Sequence, residues 1–312
     1  MNGGAYAHLH PEVRAVADLP DEQRIECIRA ERWITHSMAA TALALLQEVL
    51  EQPPRERMEN VLLLAESGMG KTSLIRKFER AKAAPGRDGA GARRMPVVTV
   101  LMPPEPTEHD FFGQVLAALG APPTTARPVG RTVSSRRDVA CRLLREVGAR
   151  VLVVDEINSV LAGTPRQQRL FLQLLRFLSN ELRVGLVCTG IPEARHALLS
   201  DPQLRSRFGE HEMPPWAAGP ELQRFVNRLV QGLPLRQPSA IDSPRLCRLL
   251  AERAGGITLH IRRALERAAI AAVRSGEEQI TAAALEAPAV WGSAPIAATS
   301  QRPRLPHTPG PI

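Results

Sequence analysis

The chain has 312 residues, 44% of them hydrophobic, enough for one large domain or two modest ones with their own cores. No apolar run approaches the roughly 18 to 20 residues that span a bilayer, and residues 1–10 lack the basic-then-apolar order of a signal peptide; the expectation is a cytoplasmic protein without a membrane segment. Forty basic against 32 acidic residues give a formal charge of +8, which suits nucleic-acid phosphates, although a solvated arginine-rich surface would carry the same excess.

From 20 to 50, Ile25, Ile28, Trp33, Ile34, Met38, Leu43, Leu45, Leu46 and Leu50 recur at threes and fours among charges, which predicts one or two helices. Pro53 and Pro54 stop them, and Val61-Leu62-Leu63-Leu64 is a short, wholly apolar run of the kind found in a strand buried on both faces. After a glycine-rich turn, 73–82 is helical, and 83–94 reads as a surface connection rich in glycine and proline. A second strand is expected over 96–102, a helix over 110–119, a polar arginine-rich stretch over 124–137, and a helix over 138–147. Val151-Leu152-Val153-Val154 makes a third strand, 167–180 a helix, and 184–189 a fourth strand. Strands alternating with helices of this length predict an α/β fold with a doubly wound parallel sheet and a ligand at the carboxyl ends of its strands.

Beyond Pro214-Pro215 the strand pattern gives way to four helical stretches, over 221–233, 244–254, 259–275 and 281–286, which form a small all-helical lid domain. The expected organisation is therefore a helical N-terminal segment (1–52), an α/β nucleotide-binding core (53–213), the lid (214–290) and a disordered tail (291–312) rich in Pro, Ser, Thr and Ala. The four cysteines are scattered singly, without zinc-site spacing, and are read as reduced and structural. With 4% aromatics and one tyrosine there is little on which to stack single-stranded bases, so any nucleic-acid partner is expected to be duplex.

The chemistry is concentrated in a few motifs. Ala65-Glu66-Ser67-Gly68-Met69-Gly70-Lys71-Thr72 lies between a buried strand and a helix that begins near Ser73, the setting a phosphate-binding loop requires. Its glycines let backbone N–H groups wrap phosphates, Lys71 reaches the β/γ oxygens of ATP, and Thr72 can ligate Mg²⁺ at a helix N-terminus that favours anions. Ala65 stands where the usual pattern has its first glycine, so that position must keep a negative φ or tolerate strain. Asp155 and Glu156 follow the third strand: Asp155 is placed to hold Mg²⁺, and Glu156 to act as general base on water. Thr189 ends the fourth strand, where its hydroxyl can orient the attacking water; it could equally be an ordinary turn hydroxyl. Arg205 and Arg207 follow the sheet, where a neighbouring subunit's γ-phosphate is within reach, with surface salt bridging as the alternative. Arg262, on the lid, can close over the nucleotide or lie on a solvated helix face.

The order of phosphate loop, acid pair, sensor hydroxyl, paired arginines and helical lid resembles the AAA+ P-loop NTPase superfamily, in its branch of initiators and transposition regulators. Within that branch the chain resembles the TniB family of transposon-encoded ATPases, relatives of the target-selecting ATPases of cut-and-paste elements. The resemblance covers roughly residues 10–285, with Arg32-Trp33-Ile34, Glu66 to Thr72, Gly190-Ile191-Pro192-Glu193-Ala194 and Leu204-Arg205-Ser206-Arg207-Phe208 as its specific parts. It implies a protein that oligomerises with ATP on double-stranded DNA, as a ring or helical filament, and links a TniQ-like targeting adaptor to a separate transposase. DNA contacts in similar proteins face inward; the candidates here are Arg93, Arg94, Arg127, Arg131, Arg136 and Arg137, with a solvated loop as the alternative. A helicase loader or an insertion-sequence helper ATPase would share this core, and a nucleotide-dependent scaffold would share it without DNA-stimulated turnover. Glu156 argues against the scaffold, which needs no positioned base.

Overall fold

A computed structural model describes residues 6–83, 94–121 and 133–292 of the chain; Arg93, Arg127, Arg131 and the expected tail from 293 onward lie outside them. The described chain opens with two short helices, α1 (Pro11–Arg14) and α2 (Asp21–Arg29). A longer helix, α3 (Ser37–Glu51), is capped by His36, whose Nδ1 accepts the Ala39 N–H at 3.3 Å. Strands and helices then alternate: β1 (Asn60–Ala65), α4 (Lys71–Lys82), β2 (Val97–Leu101), α5 (Glu108–Ala118), α6 (Val133–Glu146) and β3 (Val151–Asp155). There follow α7 (Pro165–Leu182), β4 (Gly185–Gly190), the short α8 (Ala194–Leu198) and α9 (Pro202–Arg205), and β5 (Phe208–Met213). The start of α7 shows why such a boundary falls where it does: Thr164 and Gln167 form a reciprocal capping box, and Pro165 occupies a first-turn position that has no N–H to satisfy.

All strand pairings are parallel, in the order β2-β3-β4-β1-β5. Alternate residues of each strand feed opposite faces. On one face Leu62, Leu64, Val100, Val154 and Leu186 share a core with Phe111, Phe112 and Phe171 from α5 and α7, and Phe111 meets the other two rings edge-on at 5.7 and 5.3 Å. On the other, α3 lies against β1 and β4, and α4 against β2. α3 passes so close to β4 that a Cβ on Gly185 would sit 2.3 Å from Val49 Cγ1. The doubly wound parallel sheet is as the residues predicted.

β5 is the element that the apolar pattern omits. Its residues, Phe-Gly-Glu-His-Glu-Met, bury only the two ends, because it is an edge strand. Its carboxylates are held from the core side by Arg195, which pairs with both Glu210 and Glu212. Charged side chains on an exposed edge also discourage pairing with another chain.

The second compact unit is helical. It contains α10 (Pro220–Gln231), α11 (Pro244–Ala254), most of α12 (Thr258–Ser275), α13 (Ala282–Glu286) and α14 (Pro288–Trp291). By contacts it also includes residues 1–30, whereas 31–216, with 257–259, make up the sheet-bearing unit. The contacts thus divide the expected N-terminal segment of 1–52: α1 and α2 join the C-terminal helices, and α3 joins the sheet. The cause is visible at Arg24, which is fully buried. Its guanidinium donates to Glu278 Oε1 at 2.8 Å, pairs with Glu278 Oε2, reaches Asp21 at 3.2 Å, and donates twice to the Pro234 carbonyl at 3.1 and 2.9 Å. No periodicity in a sequence reports a partner 254 residues away.

Burial pushes the Glu278 carboxyl up, but hydrogen bonds and charge from Arg24 and Arg236 outweigh it and hold the group below the ordinary glutamate range. A depressed folded pKa contributes stability above the unfolded value of about 4.3 and loses it as pH falls through the folded value. Glu278→Gln leaves Arg24 buried without its counter-charge, and is expected to destabilise the helical unit by roughly 3 kcal/mol at pH 7. In thermal melts the deficit should shrink as the wild-type carboxyl protonates below about pH 4; equal melting temperatures at pH 7 would refute the role assigned to this pair.

Candidate active site

β1 delivers the phosphate loop. Its last residue, Ala65, is not among the described non-glycine residues with positive φ (Tyr6, Glu156, Arg183 and Glu278), so the replacement of the usual glycine is accommodated without left-handed strain. Glycine is required later in the loop: Gly68 has φ +80° and Gly70 φ +97°. The two differ in surroundings. A Cβ on Gly68 would lie 2.9 Å from Ile257 Cγ2 and 3.2 Å from Leu259 Cβ, whereas one on Gly70 would meet nothing within 4 Å. The loop is therefore packed on the Gly68 side and open at Gly70, where α4 begins and its first N–H groups are available to an anion.

Lys71 is 5% exposed, and its ammonium donates to the carbonyls of Ala65 at 2.6 Å and Glu66 at 3.2 Å. Burial lowers its pKa, partly offset by the carboxylates of Glu156, Asp155 and Glu66. A half-desolvated ammonium facing an open anion cradle matches the needs of a polyphosphate.

The strand order then decides what surrounds Asp155. β4 runs between β1 and β3, so the side chain ending β4 falls between the phosphate loop and the acid pair. Thr189 is that side chain, and its buried hydroxyl donates to Asp155 Oδ1. From the other side the Thr72 hydroxyl donates to Asp155 Oδ2 at 2.8 Å, and the Glu156 N–H donates to Oδ1 at 3.0 Å. Thr189 was expected to orient water; here it fixes the carboxylate. Glu156 has left-handed backbone (φ 58°, ψ 43°), held by its N–H to Asp155 and by the Ser159 N–H to its own carbonyl at 3.0 Å. That conformation is rare for a non-glycine residue and aims Glu156 away from the strand line.

Thr72 and Asp155 offer a compact set of oxygen donors that fits a hard divalent cation completing its shell with phosphate oxygens and water. No group of three or more His, Cys, Asp or Glu among the described residues is placed to hold a metal by itself. The cysteines are free, and burial pushes the Cys188 thiol upward.

Of the remaining candidates, Glu66, Ser67 and Ser73 are exposed around the loop mouth, and Met69 is buried beneath it. Arg262 lies in the helical unit, where its Nε donates to Glu266 at 2.7 Å on the same helix. Arg205 and Arg207 lie at the opposite end of the sheet: the Arg207 carbonyl accepts the N–H of Asn60, the first residue of β1. Six residues of β1, at about 3.3 Å each, put their own phosphate loop some 17 Å or so away. The two are tethered differently. Arg205 donates through Nε and Nη2 to the Leu199 carbonyl, at 2.9 and 2.7 Å, and so braces a backbone turn. Arg207 makes a single bond of 2.6 Å to the Asn180 side chain.

Among the candidate DNA contacts, Arg94 is exposed just ahead of β2. Arg136 and Arg137 belong to α6 rather than to a loop, and are half-buried. Arg136 faces His109 at 3.4 Å, and Arg137 pairs with Glu108 at 3.3 Å and lies over the Phe177 ring.

The motif reading missed the packing against Gly68. The Leu259 N–H donates to the Gly68 carbonyl at 3.0 Å, the Thr258 hydroxyl lies 3.7 Å from Met69 Sδ, and the Trp216 indole N–H donates to Thr258 at 2.9 Å. His36 stacks edge-on against Trp216 with ring centres 5.0 Å apart. The paired glycines Gly255 and Gly256, both at positive φ just ahead of Ile257, were the available signal.

A phosphate loop, an acid strand two positions away and a hydroxyl-bearing strand between them, on a five-stranded parallel sheet, define an AAA+ P-loop ATPase. Solved structures of that class share the fold. The Aeropyrum pernix ORC1 protein in complex with DNA is 21% identical, with a TM-score of 0.57 over 84% of this chain and 67% of that one. Cdc6p from Pyrobaculum aerophilum is 18% identical (TM-score 0.55; 84% and 68% covered), and the Aeropyrum pernix ORC2 protein in ADPNP-ADP complexes 16% (0.58; 85% and 70%). Within the class, residues 24–218 match the family described as bacterial TniB protein, and the chain belongs to the TniB family. No curated protein matches it.

Gly68→Ala adds a clash with Ile257 to the cost of positive φ, whereas Gly70→Ala carries only the backbone cost. The first is expected to lower stability by about 2–3 kcal/mol and the second by about 1 kcal/mol. Thermal melts without nucleotide test the difference, and an equal loss would show that residues 257–259 do not constrain the loop.

Proposed function

We propose that this TniB-family protein is an ATP-driven regulator of DNA transposition, assembled on duplex target DNA and switched by hydrolysis. The observation that carries the reading is the cluster on Asp155: a phosphate-loop hydroxyl and a sensor-strand hydroxyl fix one buried carboxylate, with Glu156 turned out beside it. ATP would lie with its β- and γ-phosphates over Gly70, against the N–H groups of the loop and the Lys71 ammonium. Thr72 and Asp155 would hold Mg²⁺, which when bound neutralises charge on the phosphate oxygens. Glu156 accepts the proton of a water as its oxygen bonds to the γ-phosphorus; the bond to the bridging oxygen breaks and ADP leaves with the electron pair. Thr189 keeps Asp155 oriented throughout.

Arg207 is the arginine we assign to the neighbouring subunit's γ-phosphate. It lies too far from its own loop, and its single bond to Asn180 leaves it easier to redirect than Arg205. Self-association, duplex DNA, a TniQ-like adaptor and a separate transposase complete the proposal. It is supported by the family match and by the A. pernix ORC1 structure, whose title records DNA. Arg94 and the arginines of 84–93 and 122–132 are the preferred phosphate contacts, since Arg136 and Arg137 already have partners within the fold.

ATP turnover measured with and without duplex DNA is the deciding experiment. Stimulation by duplex is expected; indifference to DNA would move the reading to a loader or scaffold. Lys71→Ala should abolish nucleotide binding or turnover, because the phosphates lose their cation. Glu156→Gln should bind ATP normally and hydrolyse it at least 100-fold more slowly, or about 2.7 kcal/mol in barrier, leaving the protein on DNA. An equimolar mixture of Arg207→Ala and Lys71→Ala chains, each inactive alone, should regain turnover, since each supplies what the other lacks; failure to do so would argue against action in trans.

A further inference from the structure

Two features of the sheet-bearing unit play no part in the nucleotide site, and Arg207 lies between them. The first is the outward stripe of α7. Arg166, Leu170, Gln173, Phe177 and Asn180 are spaced by fours and threes, so they line one side of the helix. Leu170 is 54% exposed and Phe177 37%, and Leu161, in the turn just before α7, is 40% exposed. These are three of the five large apolar side chains exposed among the described residues, gathered on consecutive elements. Concentration of this kind marks a contact surface, whereas single exposed leucines are ordinary. The stripe ends at Asn180, the residue that holds Arg207.

The second feature is a cleft of about 480 Å³ on the other side of Arg207, floored by Leu45, Val49 and Phe208 and rimmed by Glu48 and Glu59. Asn60 lines it at 2% exposure. Its Oδ1 accepts the Leu186 N–H at 2.9 Å, but its buried Nδ2 has no acceptor. A buried amide donor without a partner is costly and marks a place where an acceptor is to be supplied from outside.

We propose that the α7 stripe and the Asn60 cleft together seat a second copy of this chain, with Leu170 and Phe177 as its apolar anchors and a backbone or side-chain oxygen of the neighbour accepting from Asn60. The inference rests on the reading that Arg207 acts in trans and adds the surface that brings it there. A protein partner supplies both what the stripe lacks, an apolar surface, and what the cleft lacks, an acceptor. Duplex DNA would meet Leu170 and Phe177 with phosphates. The copy that covers this face is the one whose phosphate loop Arg207 reaches, so the seat and the shared active site form together.

Mass photometry of the full chain, with a non-hydrolysable ATP analogue and duplex DNA, compares the wild type with Leu170→Glu. The variant should keep the wild-type melting temperature and nucleotide affinity, yet need at least tenfold more protein to assemble, the loss expected when one buried leucine contact becomes a charge. Assembly of Leu170→Glu at the wild-type concentration overturns the proposal. Should that variant melt early, Leu170→Ser decides, with the same shift expected and wild-type assembly again overturning it. The Arg207→Ala and Lys71→Ala mixture separates the two readings. Recovered turnover alongside unimpaired Leu170→Glu assembly removes the stripe and keeps the trans arginine; a wild type that stays monomeric under these conditions removes both.

Discussion

A buried carboxylate has to be answered by donors, and in this chain that requirement links three strands of the sheet. Asp155 is 4% exposed at the end of β3, and its oxygens are met by hydroxyls that begin α4 and end β4, and by the N–H of the next residue. The arrangement is possible only because β4 runs between β1 and β3. Had the strands followed sequence order, β2 would lie between β1 and β3, and Thr189 would be a strand further off. Strand order, buried charge and phosphate loop are thus one constraint seen at three levels.

What the sequence made legible follows from which forces are local. The phosphate loop, the acid pair and the four inner strands are short patterns whose residues act on their immediate neighbours, and each has a distinctive composition. Val61 to Leu64 and Val151 to Val154 are buried on both faces and read as apolar runs. β5 has one partner strand and an open edge, so polarity returns to it and the apolar signal disappears. Arg136 and Arg137 were read with the polar stretch before them. Cation–π and ion-pair contacts to Phe177 and Glu108 draw Arg137 into the packed helices instead. Thr189 was found at its position but with a different partner, because a hydroxyl's choice between water and carboxylate is set by three-dimensional crowding.

The nonlocal features were the illegible ones. Residues 257–259 pack on the phosphate loop from the far side of two hundred residues, and nothing in Gly68 itself distinguishes a glycine needed for φ from one needed for clearance. Here both needs coincide. The same holds for Arg24, whose sequence surroundings are those of any arginine on an exposed amphipathic helix, and whose burial is decided by Glu278.

That last pairing also fixes the order in which the protein can be completed during synthesis. α1 and α2 are among the first segments to leave the ribosome, but the carboxylate that satisfies Arg24 is encoded 254 residues later. At translation rates of about 5–20 residues per second, these helices wait roughly 13–50 s for their partner. The sheet-bearing unit, by contrast, has all five strands translated once Met213 has been added. The newborn chain therefore carries a finished sheet next to an N-terminal segment that is still looking for its place, and holding that segment out of aggregates is work that falls to the cell's chaperones.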